Sequence, residues 1–212
     1  MIKDHLLFLR ESLVEFQHTG TVCSTSQWAA DQMASPLRGP RKPMHILEAG
    51  AGTGAVTAKI LENFQDGDTL IVCELNPRMM KRLKRNLEKN ELFQRYKDRI
   101  TVFEGPVQEV SEDKPFDVIV SSLPFLNFEL PMVEEIFAKY KRISTPETVM
   151  TYYEYMWLRS LGRTISPAKR KNRIRQLDGY LRELFARCDT ARKRVWMNFL
   201  PINVYTIYVQ EI

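Results

Sequence analysis

Long apolar runs are missing from this chain of 212 residues. The N-terminus offers only Leu6 to Leu9 before Arg10 and Glu11 intervene, too short for the core of a secretory signal or for a membrane span, so a cytoplasmic protein is expected. Cysteine is scarce as well. Cys23, Cys73 and Cys188 are widely spaced, odd in number and outside any C-x-x-C or Cys/His grouping. That spacing excludes a disulfide framework or a zinc ribbon, predicts reduced thiols and gives no reason to expect a metal. No repeat or low-complexity tract interrupts the chain, and its length suits one well-buried α/β domain with short additions. Charge of one sign does not dominate: 31 Lys and Arg against 26 Asp and Glu leave a net +5. Such an excess suits phosphate-bearing partners without choosing between nucleic acid and anionic lipid.

What the sequence does have is concentrated between residues 46 and 74. The apolar run Ile46-Leu47 ends in Glu48 and leads into Gly50, Gly52 and Gly54, and the next apolar run closes on Glu74, twenty positions beyond Gly54. A strand, a Gly-rich turn and a helix in this order cradle an adenosine-containing cofactor, because glycines let the backbone approach the ligand closely. Gly50, Gly52 and Ala55 also satisfy the looser dinucleotide pattern. A pyrophosphate, however, prefers helix N-terminal amides with no carboxylate nearby, and Glu48 sits two residues before the first glycine, so a cationic ligand end is favoured.

Periodicity predicts the rest of the domain. Expected strands are His45 to Ala49, Thr69 to Glu74, Ile100 to Phe103 and Phe116 to Ser121, followed by a β-rich run from Glu147 to Tyr155. Helices are expected over Gly54 to Phe64, over Pro77 to Leu92 with Asn76 as cap, and over Leu130 to Ile143. A last one opens at Ser166-Pro167 and runs to about Arg187. Strands Arg194 to Phe199 and Val204 to Val209 would form a terminal hairpin. Ahead of the core, Ile2, Leu6, Leu9, Leu13 and Phe16 make one apolar stripe of a helix. Ser24, Thr25 and Ser26 offer hydroxyl caps for a helix over Gln27 to Met33, and Pro36 to Pro43 reads as a basic linker. The expected organisation is therefore residues 1–43 as N-terminal helices and linker, and 44–212 as the cofactor-binding core. Alternating strands and helices imply a mostly parallel sheet with helices on both faces.

The run around Glu48 resembles motif I of the class I S-adenosylmethionine (SAM) methyltransferases, E/D-x-G-x-G-x-G, and Glu74 is similar to the ribose-binding acid at the end of their second strand. The resemblance implies a Rossmann-like, seven-stranded sheet with an antiparallel C-terminal hairpin strand. It implies SAM as cofactor, contacted by Glu48, Gly50, Gly52, Gly54 and Glu74, with the Val107 backbone at the adenine and Ser121 beside the cofactor. Ser122, Pro124 and Phe125, after the fourth expected strand, look like motif IV of amino methylases, in which the first residue accepts from the amine and the aromatic lies against the substrate. Ser122 stands where an Asn or Asp would be the stronger acceptor for a base amine.

Four stretches extend the likeness to the bacterial phospholipid N-methyltransferases: Thr19 to Met33, Ser121 to Phe128, Tyr152 to Tyr155, and the hairpin from Val195. That resemblance implies an amine-bearing lipid of the phosphatidylethanolamine type, met at an anionic membrane surface from the cytoplasmic side. Tyr153, Tyr155 or Glu154 would then orient the amine or pass its proton to water, and aromatic faces suit a methylated cation. Lys169, Arg170 and Lys171 oppose the dipole at the start of the late helix, and a phosphate partner would account for them. The ribosomal RNA adenine dimethyltransferases are a more distant likeness, which keeps RNA as an alternative acceptor. A non-catalytic SAM-binding regulatory protein is a third reading.

Overall fold

The computed structural model describes residues 25–156, 168–188, 190–198 and 200–209, with backbone alone for 168–170. The expected helix over Ile2 to Phe16, Cys23, and the side chains of Lys169 and Arg170 lie outside the described residues. Seven strands form one sheet among those described: β1 (His45–Ala49), β2 (Thr69–Glu74), β3 (Ile100–Glu104), β4 (Phe116–Ser121), β5 (Ser144–Tyr155), β6 (Thr190–Val195) and β7 (Ile202–Tyr208). Their order is β3-β2-β1-β4-β5-β7-β6. Strands β1 to β5 pair in parallel, and β7 enters antiparallel between β5 and β6. This is the Rossmann-like arrangement that the resemblance implied.

The helices are α1 (Gln27–Met33), α2 (Ala55–Glu62), α3 (Pro77–Glu88), α4 (Glu91–Tyr96), α5 (Leu130–Arg142) and α6 (Ala168–Arg187). Because side chains alternate across a strand, Ile46, Val72 and Val118 meet Met33, Ile60 and Leu83 on one face, while Leu47, Ile119 and Met150 meet Phe137, Tyr140 and Leu177 on the other. Both faces are covered, which is why β1 and β4 read as nearly continuous apolar runs. Truncating a fully buried member such as Leu83 to Ala would cost about 2 to 5 kcal/mol.

Local chemistry sets the element ends. Ser26 accepts from the Ala29 amide at 3.2 Å and caps α1, while Asn76 accepts from Arg78 and Met79 and caps α3. The single helix expected over Pro77 to Leu92 is two, because Asn90 accepts from the Phe93 amide at 3.0 Å and starts a new helix instead of continuing the old one. The strand expected from Arg194 begins at Thr190. Its residues Ala191 to Arg194 are exposed on the sheet edge, so they carry no apolar alternation to read. The apolar run after Val195 is a turn, in which Asn198 donates to the Leu200 carbonyl and accepts from the Ser26 amide at 2.9 Å.

The expected linker is anchored. The Arg41 guanidinium forks onto the Asp68 carboxylate at 2.6 and 2.7 Å and also donates to the Asn63 and Leu37 carbonyls. Burial works against the Asp68 charge, but those bonds and the Gln65 and Met44 amides outweigh it and hold its pKa below the usual range. Removing either partner would leave a buried charge, at a cost of about 3 to 5 kcal/mol.

Candidate active site

The C-terminal ends of β1, β2 and β4 meet where the strand order reverses, the place at which open α/β sheets bind ligands. Here the β1–α2 turn folds back on β2. The Gly50 and Ala51 amides donate to the Cys73 carbonyl at 2.9 and 3.1 Å, and Gly50, at φ 78°, has no room for a Cβ, which would lie 2.9 Å from Leu123. Gly52 donates its amide to Glu74 Oε2 at 2.7 Å, and Asn76 donates to Glu74 Oε1 at the same distance. Asn86 ties the Thr53 carbonyl to α3 at 2.8 Å. The turn is thus held in place by its own chain, with Glu74 as its clasp.

A cleft enclosing about 840 Å³, open solvent at its mouth included, lies over this turn. Gly50, Gly52, Glu74, Val107, Ser122 and Pro124 line it, all expected site residues, and Tyr153 closes the far side. Leu75, Asn76, Met79, Gly105 and Gln108 line it too and were not foreseen. The first three simply follow Glu74 in sequence, so the motif's acid could have pointed to them; Gln108 left no signal.

Two expected cofactor residues lie behind the wall instead of on it. Glu48 is fully buried on the α2 side, where Oε2 accepts from Thr57 Oγ1 at 2.6 Å and Oε1 has no partner. Burial pushes its pKa up to about 8; the Glu74 charge adds to the rise and the Thr57 hydrogen bond opposes it. A buried acceptor left open costs free energy until a donor arrives. The orphaned Oε1 therefore fits a cofactor with a cationic end better than one with a pyrophosphate. Gly54 begins α2 at φ 92°, and a Cβ there would meet Leu83 at 2.8 Å. Its glycine is required first by that left-handed backbone, with the Leu83 contact adding to it.

Glu74 is also buried, and desolvation raises its pKa while the Asn76, Gly52 and Leu75 amides lower it. Each carboxylate oxygen already accepts one amide, yet has capacity for a further donor such as a sugar hydroxyl.

The β4 side corrects one expectation and refines another. Ser121 does not reach the cleft: its Oγ accepts from Tyr140 at 2.9 Å on the opposite face of the sheet, and it is fully buried. Phe125 lines a smaller neighbouring cleft, but as part of its buried wall and not as a free-standing ring. It is 1 % exposed and packs its ring against Phe137, Tyr152 and Phe128 at centroid distances of 5.1, 5.2 and 6.4 Å. The chain turns inward after Pro124, into a 3-10 turn over Phe125–Asn127, which carries the ring into the core. Ser122, by contrast, donates its amide to the Ala49 carbonyl at 2.8 Å and holds a buried Oγ with no partner.

The smaller cleft adjoins the first, sharing Leu123, Pro124 and Tyr153 with it and adding Phe125, Leu126, Asn127, Tyr152, Glu154 and Tyr155. The rings of Tyr153 and Tyr155 meet edge to face at 5.6 Å. Glu154 is 6 % exposed, and Tyr152 donates its hydroxyl to the Glu154 carboxylate in a very short bond. Lys171 lies half-buried in the first turn of α6 and lines neither cleft. Among the described residues no cluster of three His, Cys, Asp or Glu is placed to hold a metal ion, and no helix is long and apolar enough to cross a membrane.

Residues 46–147 match the family model described as a methyltransferase domain. No curated protein sequence matches the chain. Among solved structures, an O-methyltransferase from Bacillus cereus in complex with SAH is similar at TM-score 0.66, with 16 % identity over 94 % of this chain and 90 % of that one. The glycopeptide N-methyltransferase MtfA complexed with sinefungin gives 0.64 and 17 %, covering 87 % and 94 % of the two chains. The O-methyltransferase TomG from Streptomyces achromogenes, in complex with SAM, gives 0.63 and 13 %, covering 95 % and 88 %. Likeness at this identity speaks for the fold.

Proposed function

We propose that the chain, whose residues 46–147 match a methyltransferase-domain model, is a SAM-dependent methyltransferase of class I that methylates an amine nitrogen, and that this amine belongs to a phosphatidylethanolamine-type lipid. The observation that carries the amine is Glu154, a buried carboxylate that lines the smaller cleft together with Tyr152, Tyr153 and Tyr155, a cleft joined to the cofactor cleft through Leu123, Pro124 and Tyr153. A cleft that offers both a carboxylate and tyrosine rings suits an ammonium, which gains a charge-assisted hydrogen bond and cation-π contact.

In this reading Gly50, Gly52, Glu74 and Val107 hold the cofactor, with the open Glu48 oxygen matched to its cationic end. SAM, when bound, supplies a methyl group on a sulfonium. The residues of the chain have two tasks left. Glu154, or a water beside it, takes the proton that an ammonium must lose before its lone pair is free. Tyr153 and Ser122, lining the larger cleft, hold the neutral amine in line, and this positioning is where most of the rate gain arises. Lys169, Arg170 and Lys171 are candidates for the headgroup phosphate. The lipid assignment is supported by the sequence likeness to phospholipid N-methyltransferases, and by Ser122 being a weak acceptor for a flat base.

Labelled SAM incubated separately with phosphatidylethanolamine vesicles and with total RNA tests the reading. Label in the lipid fraction is the expected result. Label in RNA would transfer the proposal to an adenine N-methyltransferase, and bound SAM without transfer to either would leave the regulatory reading.

A further inference from the structure

Three of the large apolar side chains that the fold leaves in water lie together. Trp28, Trp196 and Met197 are 47 %, 57 % and 58 % exposed. Trp28 follows the α1 cap by two residues, and the Ser26 amide at that cap donates to Asn198, one residue beyond Met197. Single exposed hydrophobic residues are ordinary, but two tryptophans and a methionine gathered at one corner are not.

The corner is at the mouth of the site. Strand β6 is antiparallel to β7, and β7 is antiparallel to β5, so β6 ends on the same side of the sheet as β5. Tyr155, Ile202 and Val195 stand in one row across these strands. Two strand spacings separate Val195 from Tyr155, about 10 Å, and Trp196 follows Val195 directly. Behind the aromatic corner, Arg192, Lys193 and Arg194 are exposed along the edge strand and make no ion pair among the described residues. Cations on an edge strand also discourage strand-to-strand aggregation. That explains the charges but not the tryptophans at their end. Indole rings beside unpaired cations match the interfacial layer of a bilayer, where tryptophan settles at headgroup depth and Lys or Arg meets anionic lipid.

We propose that Trp28, Trp196 and Met197, with Arg192, Lys193 and Arg194 behind them, form a docking face for an anionic lipid bilayer and bring the cleft mouth down to the headgroups. The proposal rests on the amine-lipid reading of the acceptor. Vesicles of phosphatidylglycerol and phosphatidylcholine, free of any ethanolamine lipid, test docking apart from methyl transfer.

Cosedimentation with those vesicles is measured for the parent, for an R192E/K193E/R194E variant and for a W28S/W196S/M197S variant, with SAM binding by calorimetry as the check that each is folded. The charge variant is expected to lose on the order of a hundredfold in partitioning at low salt, and the parent to weaken as salt rises. The apolar variant is expected to lose about tenfold, with less sensitivity to salt. Parent-like cosedimentation in both variants would overturn the proposal. So would a concentration-dependent dimer lost in the apolar variant, or RNA binding lost in the charge variant with vesicle binding intact. Docking without label transfer to phosphatidylethanolamine would sink the acceptor reading and leave the docking face standing.

Discussion

At the β1 and β2 end the crevice is lined by backbone pinned to its own chain, with the Glu74 carboxylate as clasp, whereas at the β4 and β5 end it is lined by side chains. Gly50, Ala51, Gly52 and Asn76 are fixed through the Cys73 carbonyl and Glu74 before any ligand arrives. Tyr153, Tyr155 and Glu154 are held by ring contacts and by the hydroxyl of Tyr152. A backbone cradle serves any acceptor chemistry, because its shape does not change with the side chains around it. A pocket of side chains can be rebuilt for a new acceptor while the sheet beneath it stays the same. The neighbours illustrate this: proteins named as O- and as N-methyltransferases share the fold at 13 to 17 % identity.

Replacing Glu74 by Ala should break the backbone side most severely. The carboxylate fixes two amides as well as offering acceptors to a ribose, so its loss unclasps the turn and removes charged hydrogen bonds together. A loss on the order of 2 to 3 kcal/mol of SAM affinity is expected, measured by calorimetry. SAM binding at parental affinity would mean that the clasp is dispensable.

Replacing Tyr153 or Tyr155 by Phe should damage the other side alone. Tyr153 lines both clefts and Tyr155 only the smaller one, so the first change should be the more harmful. Turnover falling by about tenfold to a hundredfold, with SAM affinity nearly unchanged, is expected for a hydroxyl that acts in the transition state. Parental turnover in both variants would make the pair structural. A matching loss of SAM affinity would dissolve the distinction between the two ends.

A pH titration sharpens the comparison through Glu48. Burial raises its pKa to about 8 from an ordinary 4.5, so the folded chain binds more protons than the unfolded chain between those values. Stability without cofactor should therefore decline as pH rises from about 4.5 through about 8, and Glu48→Gln should flatten that decline. At pH 7 the carboxyl is mostly protonated, and a cationic ligand that ionises it should release about one proton per site. Calorimetry in buffers of different ionisation heat measures this, and equal proton release in Glu48→Gln would remove Glu48 from the linkage.

The contrast also explains what could be read from the sequence. The Gly-rich turn and both acids were legible because backbone geometry requires particular residue types at fixed spacing, and the sheet followed from alternating periods. The edge strand β6 was misplaced because Ala191 to Arg194 face solvent, so no alternation marks where pairing begins. Ser121 and Phe125 were assigned to the crevice by motif position. Tyr140 on α5 draws Ser121 to the other face, and the 3-10 turn after Pro124 sinks the Phe125 ring into the wall of the smaller cleft, tertiary facts without a local signature. Glu154 drew less notice than its tyrosine neighbours, since its burial arises only when β7 pairs with β5.

The smallest expected effect belongs to Ser122, and its sign differs between stability and activity. Its Oγ is buried without a partner, and an unpaired buried hydroxyl costs roughly 1 to 3 kcal/mol before any ligand is bound. Ser122→Ala removes that hydroxyl while its amide keeps the bond to the Ala49 carbonyl, so the unliganded protein should be stabilised by up to about 1 kcal/mol. If the hydroxyl accepts from the acceptor amine, turnover should fall, but by less than about tenfold, because one neutral hydrogen bond is worth about 1 kcal/mol. Thermal unfolding and single-turnover methyl transfer measured on the same variant check both signs. A variant that is less stable would show that the hydroxyl has a partner in solution, and one with unchanged turnover would confine amine positioning to Tyr153 and its neighbours on β5.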